Sequence, residues 1–286
     1  MTEASIATSP DGAAQADPLA PYDGGWHCSH LYYSLDRPRL NALAPTQREA
    51  IARSLAEVLD PAAAHAPARM QLSITSGHKA DFGVMMLDPN PLRIDSVHQA
   101  LMAGPAGAVL TAGYSFVSVT EISEYVPSPE DYGRRLVEEG EQEGSPAFVA
   151  KVKAYSDRLG GMNRQRLTPE IPPYPSTCFY PMNKKRVKDE NWFTLSKQER
   201  SRLMGEHARS GMAFAGKVSQ LITVGIGLDD WEWGVTLWGA NPSYLKDIVY
   251  QMRFDEASAR YAEFGPFLVG YVCDAERLVE HCHVRR

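Results

Sequence analysis

The sequence has no run of about 18 apolar residues, so no transmembrane helix is expected. It has no surplus of positive charge: 29 Lys and Arg against 35 Asp and Glu leave a formal net charge of -6. A chain that neutralises nucleic-acid phosphates needs a basic face, so a general nucleic-acid binder is excluded, while a local cationic pocket is not. There are only four cysteines, Cys28, Cys178, Cys273 and Cys282, none in a CxxC pair. They read as reduced core thiols of a cytosolic chain, not as a disulfide framework. The N-terminus has small and acidic residues where a secretory signal would have a basic and then an apolar segment, so the expected location is cytoplasmic. Nucleotide and hydrolase signatures are missing too: there is no P-loop, no GxSxG elbow and no HExxH. Gly225-Ile226-Gly227 lacks the third glycine of a dinucleotide loop. His281-Cys282-His283 has metal-ligating side chains, but adjacent residues on a tail do not readily converge on one ion.

What is present is an ordinary apolar share, 44% over 286 residues, enough for one large domain or two small ones with a substantial core. Residues 1–24 are rich in Ala, Ser, Pro, Gly and Asp without an apolar period, and are expected to be disordered. The remainder carries one order of elements twice. In 25–165, an apolar strand at 26–35 leads to a helix at 46–59, where Ile51, Leu55 and Leu59 recur at helical spacing. Strands at 70–76 and 81–87, a helix at 91–102 and a long strand at 114–125 complete this unit. In 166–286, a strand at 176–182 precedes a helix at 196–214, opened by Ser196 with Glu199 three residues on as a capping box. A hairpin of 217–226 and 231–238, a helix at 242–252 and a strand at 267–273 follow. The class is α+β. Each unit reads β-α-β-β-α-β, a ferredoxin-like half, and two such tandem halves pairing their apolar sheet faces form a dimeric α+β barrel within one chain. A charged, helical stretch at 128–158 and a Pro-rich connector at 169–175 lie between them.

Three short runs and one strand residue concentrate the chemistry. Cys178-Phe179-Tyr180-Pro181-Met182-Asn183-Lys184-Lys185-Arg186 sets a phenol at the end of an apolar strand beside cations. A strand tyrosine commonly packs in the core, and a cation run is commonly a solvated loop; the same cations can also neutralise carboxylates at the edge of a cavity. Gly205-Glu206-His207-Ala208-Arg209-Ser210-Gly211 puts one imidazole on a helix among small residues that leave room for a flat ligand. A lone helical His is more often a hydrogen-bonded surface residue, yet a single neutral imidazole is also the usual axial donor to reactive haem iron. Met252-Arg253-Phe254-Asp255-Glu256-Ala257-Ser258 sets Arg253 either to pair with Asp255 or Glu256 and cap its helix, or to offer a planar fork to a carboxylate. Gln220, with Val218 and Ile222 on its face by period-2 spacing, is either an edge residue or a neutral hydrogen-bond donor inside a cavity.

Together these runs and their separations resemble the coproheme decarboxylase branch of the chlorite dismutase family, over 26–273 and most strongly from Arg164 onward. The resemblance implies that His207 is the axial iron ligand and Tyr180 the radical-forming tyrosine, with Lys184 and Gln220 also catalytic. Arg164 or Arg166, Met182, Lys184, Arg253 and Ser258 are then the porphyrin contacts. It implies iron coproporphyrin III as substrate and redox centre, hydrogen peroxide as oxidant, and haem b as product, two propionates becoming vinyl groups in the last step of the coproporphyrin-dependent haem route. It also implies a homo-oligomer, expected to be a pentamer, and a transient contact with coproporphyrin ferrochelatase. Gln220 matches the distal Gln of the firmicute-type enzymes; true chlorite dismutases have an Arg there and actinobacterial decarboxylases a His, which argues against chlorite chemistry. The rival readings are a chlorite dismutase or haem peroxidase on the same fold, and a non-enzymatic haem carrier or sensor, which needs His207 but not Tyr180 beside cations. The N-terminal extension and the long 128–162 segment depart from the typical member.

Overall fold

The structure is a computed structural model that describes residues 18–286. Most of the stretch expected to be disordered, 1–17 of 1–24, lies outside the described residues. The first half contains β1 (His27–Leu35), α1 (Arg37–Ala42), α2 (Pro45–Val58), β2 (Arg69–Thr75), β3 (Phe82–Asp88), α3 (Pro91–Ala103) and β4 (Leu110–Val119). Two helices follow, α4 (Pro129–Glu138) and α5 (Pro146–Leu167). The second half contains β5 (Ser176–Lys184), a small hairpin of β6 (Arg186–Val187) and β7 (Glu190–Asn191), α6 (Lys197–Met212), β8 (Val218–Val224) and β9 (Trp233–Gly239). It ends with α7 (Pro242–Met252), α8 (Glu256–Ala259), β10 (Ala262–Phe264), β11 (Leu268–Cys273) and α9 (Ala275–His281).

The repeat holds at the level of single residues. Asn90 caps α3 by accepting from Leu92 N at 2.9 Å, and Asn241 caps α7 by accepting from Ser243 N at 2.8 Å; each is followed by a proline that fits the first helical turn. Strand order repeats too. The first half runs β2-β3-β1-β4 and the second β11-β5-β9-β8, the ferredoxin-like order in both. The halves meet where β11 pairs with β2 and where Val119 of β4 pairs with Val224 of β8. Because β5 pairs with β11 on one side and β9 on the other, the nine-stranded sheet closes on itself. Closure removes the exposed edges that a pair of open sheets would leave. β10 extends the β5 edge beyond β11, at Met182–Lys184.

β5 separates two environments by simple alternation. Phe179 points into the barrel, where it stacks on His30 at 4.0 Å and packs with Phe116, Tyr32 and Leu268. Cys178 and Tyr180 point outward, into a cluster with Val235, Leu237 and the α7 residues Leu245, Ile248 and Met252. Packing at the barrel centre is tight: a Cβ added at Gly234 would lie 2.4 Å from the Phe116 ring and 3.0 Å from Thr223 Oγ1. Gly234→Ala is therefore expected to destabilise the fold by about 1–3 kcal/mol, read as a lower urea midpoint at unchanged slope.

Two expectations shift. The strand expected at 114–125 runs from Leu110 to Val119, because 110–112 pair with β1 past a bulge that leaves Gly113 unpaired opposite Tyr32/Tyr33, and beyond Val119 Thr120 bonds Trp26. The linker helix continues past Arg158 to Leu167, so the expected 165/166 boundary lies within its last turn.

Candidate haem-type site on the outer face of the second half

The register puts the candidate strand residues on one face. Cys178, Leu237 and Gln220 form one rung across β5, β9 and β8, and Tyr180, Val235 and Ile222 form the next. Met182 and Lys184 continue the β5 row. α6 packs against α7, and Phe214, just beyond α6, joins the cluster around Tyr180. Ile222 is 41% exposed, so this face keeps uncovered apolar surface beside the buried Tyr180, as a flat aromatic ligand requires.

His207 is held from behind. Its Nδ1 lies 3.1 Å from Asp255 Oδ2, and Ser210 Oγ donates to Asp255 Oδ1 at 2.6 Å. A carboxylate only accepts, so Nδ1 carries the proton and Nε2 keeps its lone pair. Burial pushes the His207 pKa below the ordinary imidazole range, the Lys184 charge adds to this, and Asp255 opposes it. The result is a neutral, oriented imidazole with one free donor nitrogen, a donor set that fits haem iron. The backbone carbonyl of Asp255 starts α8 by accepting from the Ser258 and Ala259 amides at 3.0 and 2.8 Å. That turn brings Ser258, with Oγ 3.4 Å from His207 Nδ1. Sequence reasoning missed Asp255 as a site residue; the signal is its place two residues after Arg253, which suggests only a local ion pair.

Tyr180 is 7% exposed, stacked on Phe267 at 4.5 Å and met edge-on by Phe264 at 5.8 Å. Burial raises its phenol pKa above the usual value, with Cys178 adding and Arg253 opposing. Arg253 thus lies within electrostatic reach of Tyr180, its guanidinium 5.5 Å over the Phe264 ring.

Lys184 does not stand with its neighbours as one cationic patch. Its Nζ donates to the Ala257 carbonyl at 3.0 Å and sits 4.2 Å over the Trp192 ring. Lys185 pairs with Glu190 at 2.8 Å and Arg186 with Glu232 at 3.1 Å. Arg164 is exposed at the end of α5, and Arg166 bonds Asn163 Oδ1 at 3.4 Å.

Burial pushes the Lys184 amine from 10.5 down to about 8. Between those values the unfolded chain binds more protons, so stability rises with pH across that window. Lys184→Met is expected to remove a rise of about 3 kcal/mol or less, since ring contact with Trp192 favours the charged form. Urea titrations of both proteins at pH 7.5 and 10 measure the difference; equal slopes with pH would contradict it.

A family model described as chlorite dismutase matches residues 48–273. The chain belongs to the chlorite dismutase family. Within that family's fold, it is 38% identical over 258 residues to a coproheme decarboxylase of Staphylococcus carnosus (strain TM300), covering 89% of this chain and 94% of that protein. Among solved structures, a novel heme-binding protein from Thermus thermophilus aligns with a TM-score of 0.73 at 33% identity, covering 91% of this chain and 95% of that one. A mutant chlorite dismutase from Candidatus Nitrospira defluvii aligns with a TM-score of 0.68 at 16% identity, covering 92% and 96%, and shares the fold. No helix among the described residues is long and apolar enough to cross a membrane.

Proposed function

We propose that this family member is a coproheme decarboxylase, converting two propionates of iron coproporphyrin III to vinyl groups with hydrogen peroxide and yielding haem b. The observation that carries the reading is the union of an oriented, neutral His207 with a redox-capable Tyr180 walled by apolar rings beside Arg253. A haem carrier has use for the first and none for the second. The extended identity to a coproheme decarboxylase supports it.

For each propionate, one peroxide and one proton are consumed, and one vinyl group, one carbon dioxide and two waters are formed. The substrate's own iron supplies the reduction of peroxide. His207 Nε2 would hold that iron, with Asp255 fixing the ring. Gln220, neutral and on the same sheet face as Tyr180, would donate a hydrogen bond to the oxidant without adding charge. Tyr180 would give up its hydroxyl hydrogen atom and recover one from the propionate β-carbon. Lys184 would reach the reacting carboxylate by exchanging the Ala257 carbonyl for it, a charge-assisted and stronger acceptor. Met182 would pack against the macrocycle. Arg253, beside Tyr180, would hold a carboxylate on the reacting side, and Ser258, with Arg164 or Arg166, would take the others.

Carbon dioxide release on adding peroxide to the iron coproporphyrin III complex tests the reading. Stoichiometric release is expected, and bleaching without release would leave only a carrier. Arg253→Ala should weaken iron coproporphyrin III binding roughly tenfold, about 1.4 kcal/mol, and affect haem b less, because the product has lost two carboxylates. Equal effects on both in parallel titrations would place Arg253 away from the reacting propionates. The assembly proposed is a homopentamer in the cytoplasm with transient contact to coproporphyrin ferrochelatase; a monomer by light scattering at micromolar concentration would count against it.

A further inference from the structure

A phenol in an active site is ordinarily oriented by hydrogen bonds. Here, among the described residues, none reaches the Tyr180 hydroxyl. The ring is buried, so its packing sets its plane. Two rings touch it, one from the last residue of β10 and one from the short loop that links β10 to β11. Phe267 stacks on it at 4.5 Å with 24° between planes, and Phe264 meets its edge at 5.8 Å and 64°.

That loop is tied to β5 at the residue after Tyr180. Gly265 N donates to the Pro181 carbonyl at 2.9 Å, and Phe264 pairs with Met182 in the β10–β5 ladder. A Cβ at Gly265 would lie 2.6 Å from Pro181 Cγ and 2.9 Å from the Trp231 ring, so the loop is pressed flat against the strand. Phe264, Phe267 and Tyr180 therefore hold one another in a fixed arrangement. Both Phe rings are part-buried and pack against the apolar cluster that contains Tyr180.

We infer that Phe267, assisted by Phe264, is a positioning residue for Tyr180: it fixes the phenol plane by stacking alone, and thereby the direction in which the hydroxyl meets the substrate. This inference rests on the coproheme decarboxylase reading. The aromatic pair supplies what a hydrogen bond supplies elsewhere, without placing an acceptor that would compete for the phenol proton. Misplacement of a reacting group by about 1 Å costs on the order of 100-fold in rate, so loss of the stack should appear in turnover and not in binding.

The test compares wild type, Phe267→Leu and Tyr180→Phe, each loaded with iron coproporphyrin III. Phe267→Leu is expected to fold and to keep its KM within about twofold, while kcat for vinyl formation falls roughly 10- to 100-fold. Peroxide consumed per vinyl formed should rise severalfold. Freeze-quench EPR should show an altered tyrosyl splitting, because coupling to the β-methylene hydrogens depends on the ring's rotation. A merely structural residue would lower thermal stability and leave coupling and EPR pattern unchanged, and that result overturns the inference. If Phe267→Leu does not fold, Phe264→Leu, which removes the edge contact alone, is judged by the same measurements. If Tyr180→Phe is inactive and the Phe variants match wild type, positioning alone has failed. If Tyr180→Phe converts substrate like wild type, the underlying reading has failed and the inference with it.

Discussion

Tyr180→Phe is expected to fold, bind iron coproporphyrin III and consume peroxide, yet to form almost no vinyl groups. The substitution keeps the ring and therefore the stack on Phe267 and the edge contact with Phe264. The hydroxyl has no hydrogen-bond partner within the described chain, so its removal should cost about 1 kcal/mol or less in stability. What the variant lacks is the single hydrogen atom that the phenol can give and take back. Vinyl formation should fall by roughly 1,000-fold or more, the scale on which loss of a reacting group shows against retained binding. Side-by-side thermal melts and product analysis separate this from packing: wild-type conversion in the Phe variant would reduce Tyr180 to a core aromatic.

His207→Ala carries the second large effect, on binding and spectrum. Removing the imidazole takes one partner from Asp255, which is 4% exposed beside that ring, and leaves the Ser210 hydroxyl on its carboxylate. Iron porphyrin affinity should fall at least tenfold, about 1.4 kcal/mol or more, with a displaced Soret band. Asp255→Asn keeps the side chain's shape but can donate as well as accept, so it no longer requires the proton on Nδ1. A loss of roughly 10- to 100-fold in affinity or turnover is expected for it, as for other groups that orient a metal-binding histidine. A His207→Ala spectrum identical to wild type would remove His207 as the ligand, and a silent Asp255→Asn would show that the 3.1 Å contact does not orient the ring.

The fold is legible because both halves repeat one grammar: alternating strands, a Ser, Asn or Pro helix start, and a hairpin at equivalent places. Facing then follows from alternation, which is why the face that Gln220 shares with Val218 and Ile222 can be read from period-2 spacing alone. The failures have physical causes. Local pattern places strand β4 four residues late, since its start lies beyond a bulge at Gly113 that only the pairing with β1 defines. The cations after Tyr180 read as one patch, but Glu190 and Glu232, from β7 and from the β8–β9 hairpin, divide them, and Trp192 draws Lys184 inward. Asp255 escapes notice because its partner is 48 residues away along the chain. Long-range pairings of this kind leave no periodic trace. The small β6, β7, β10 and α8 elements, each four residues or fewer, are likewise set by tertiary contacts and not by propensity.

Mass spectrometry of the porphyrin extracted during a peroxide titration shows whether the wild-type protein turns iron coproporphyrin III into haem b. Two successive losses are expected, each of one carbon dioxide and two hydrogens, complete near two peroxides per porphyrin, with the three-propionate intermediate between them. Porphyrin recovered with all four propionates intact, or destroyed without either loss, would contradict that conversion.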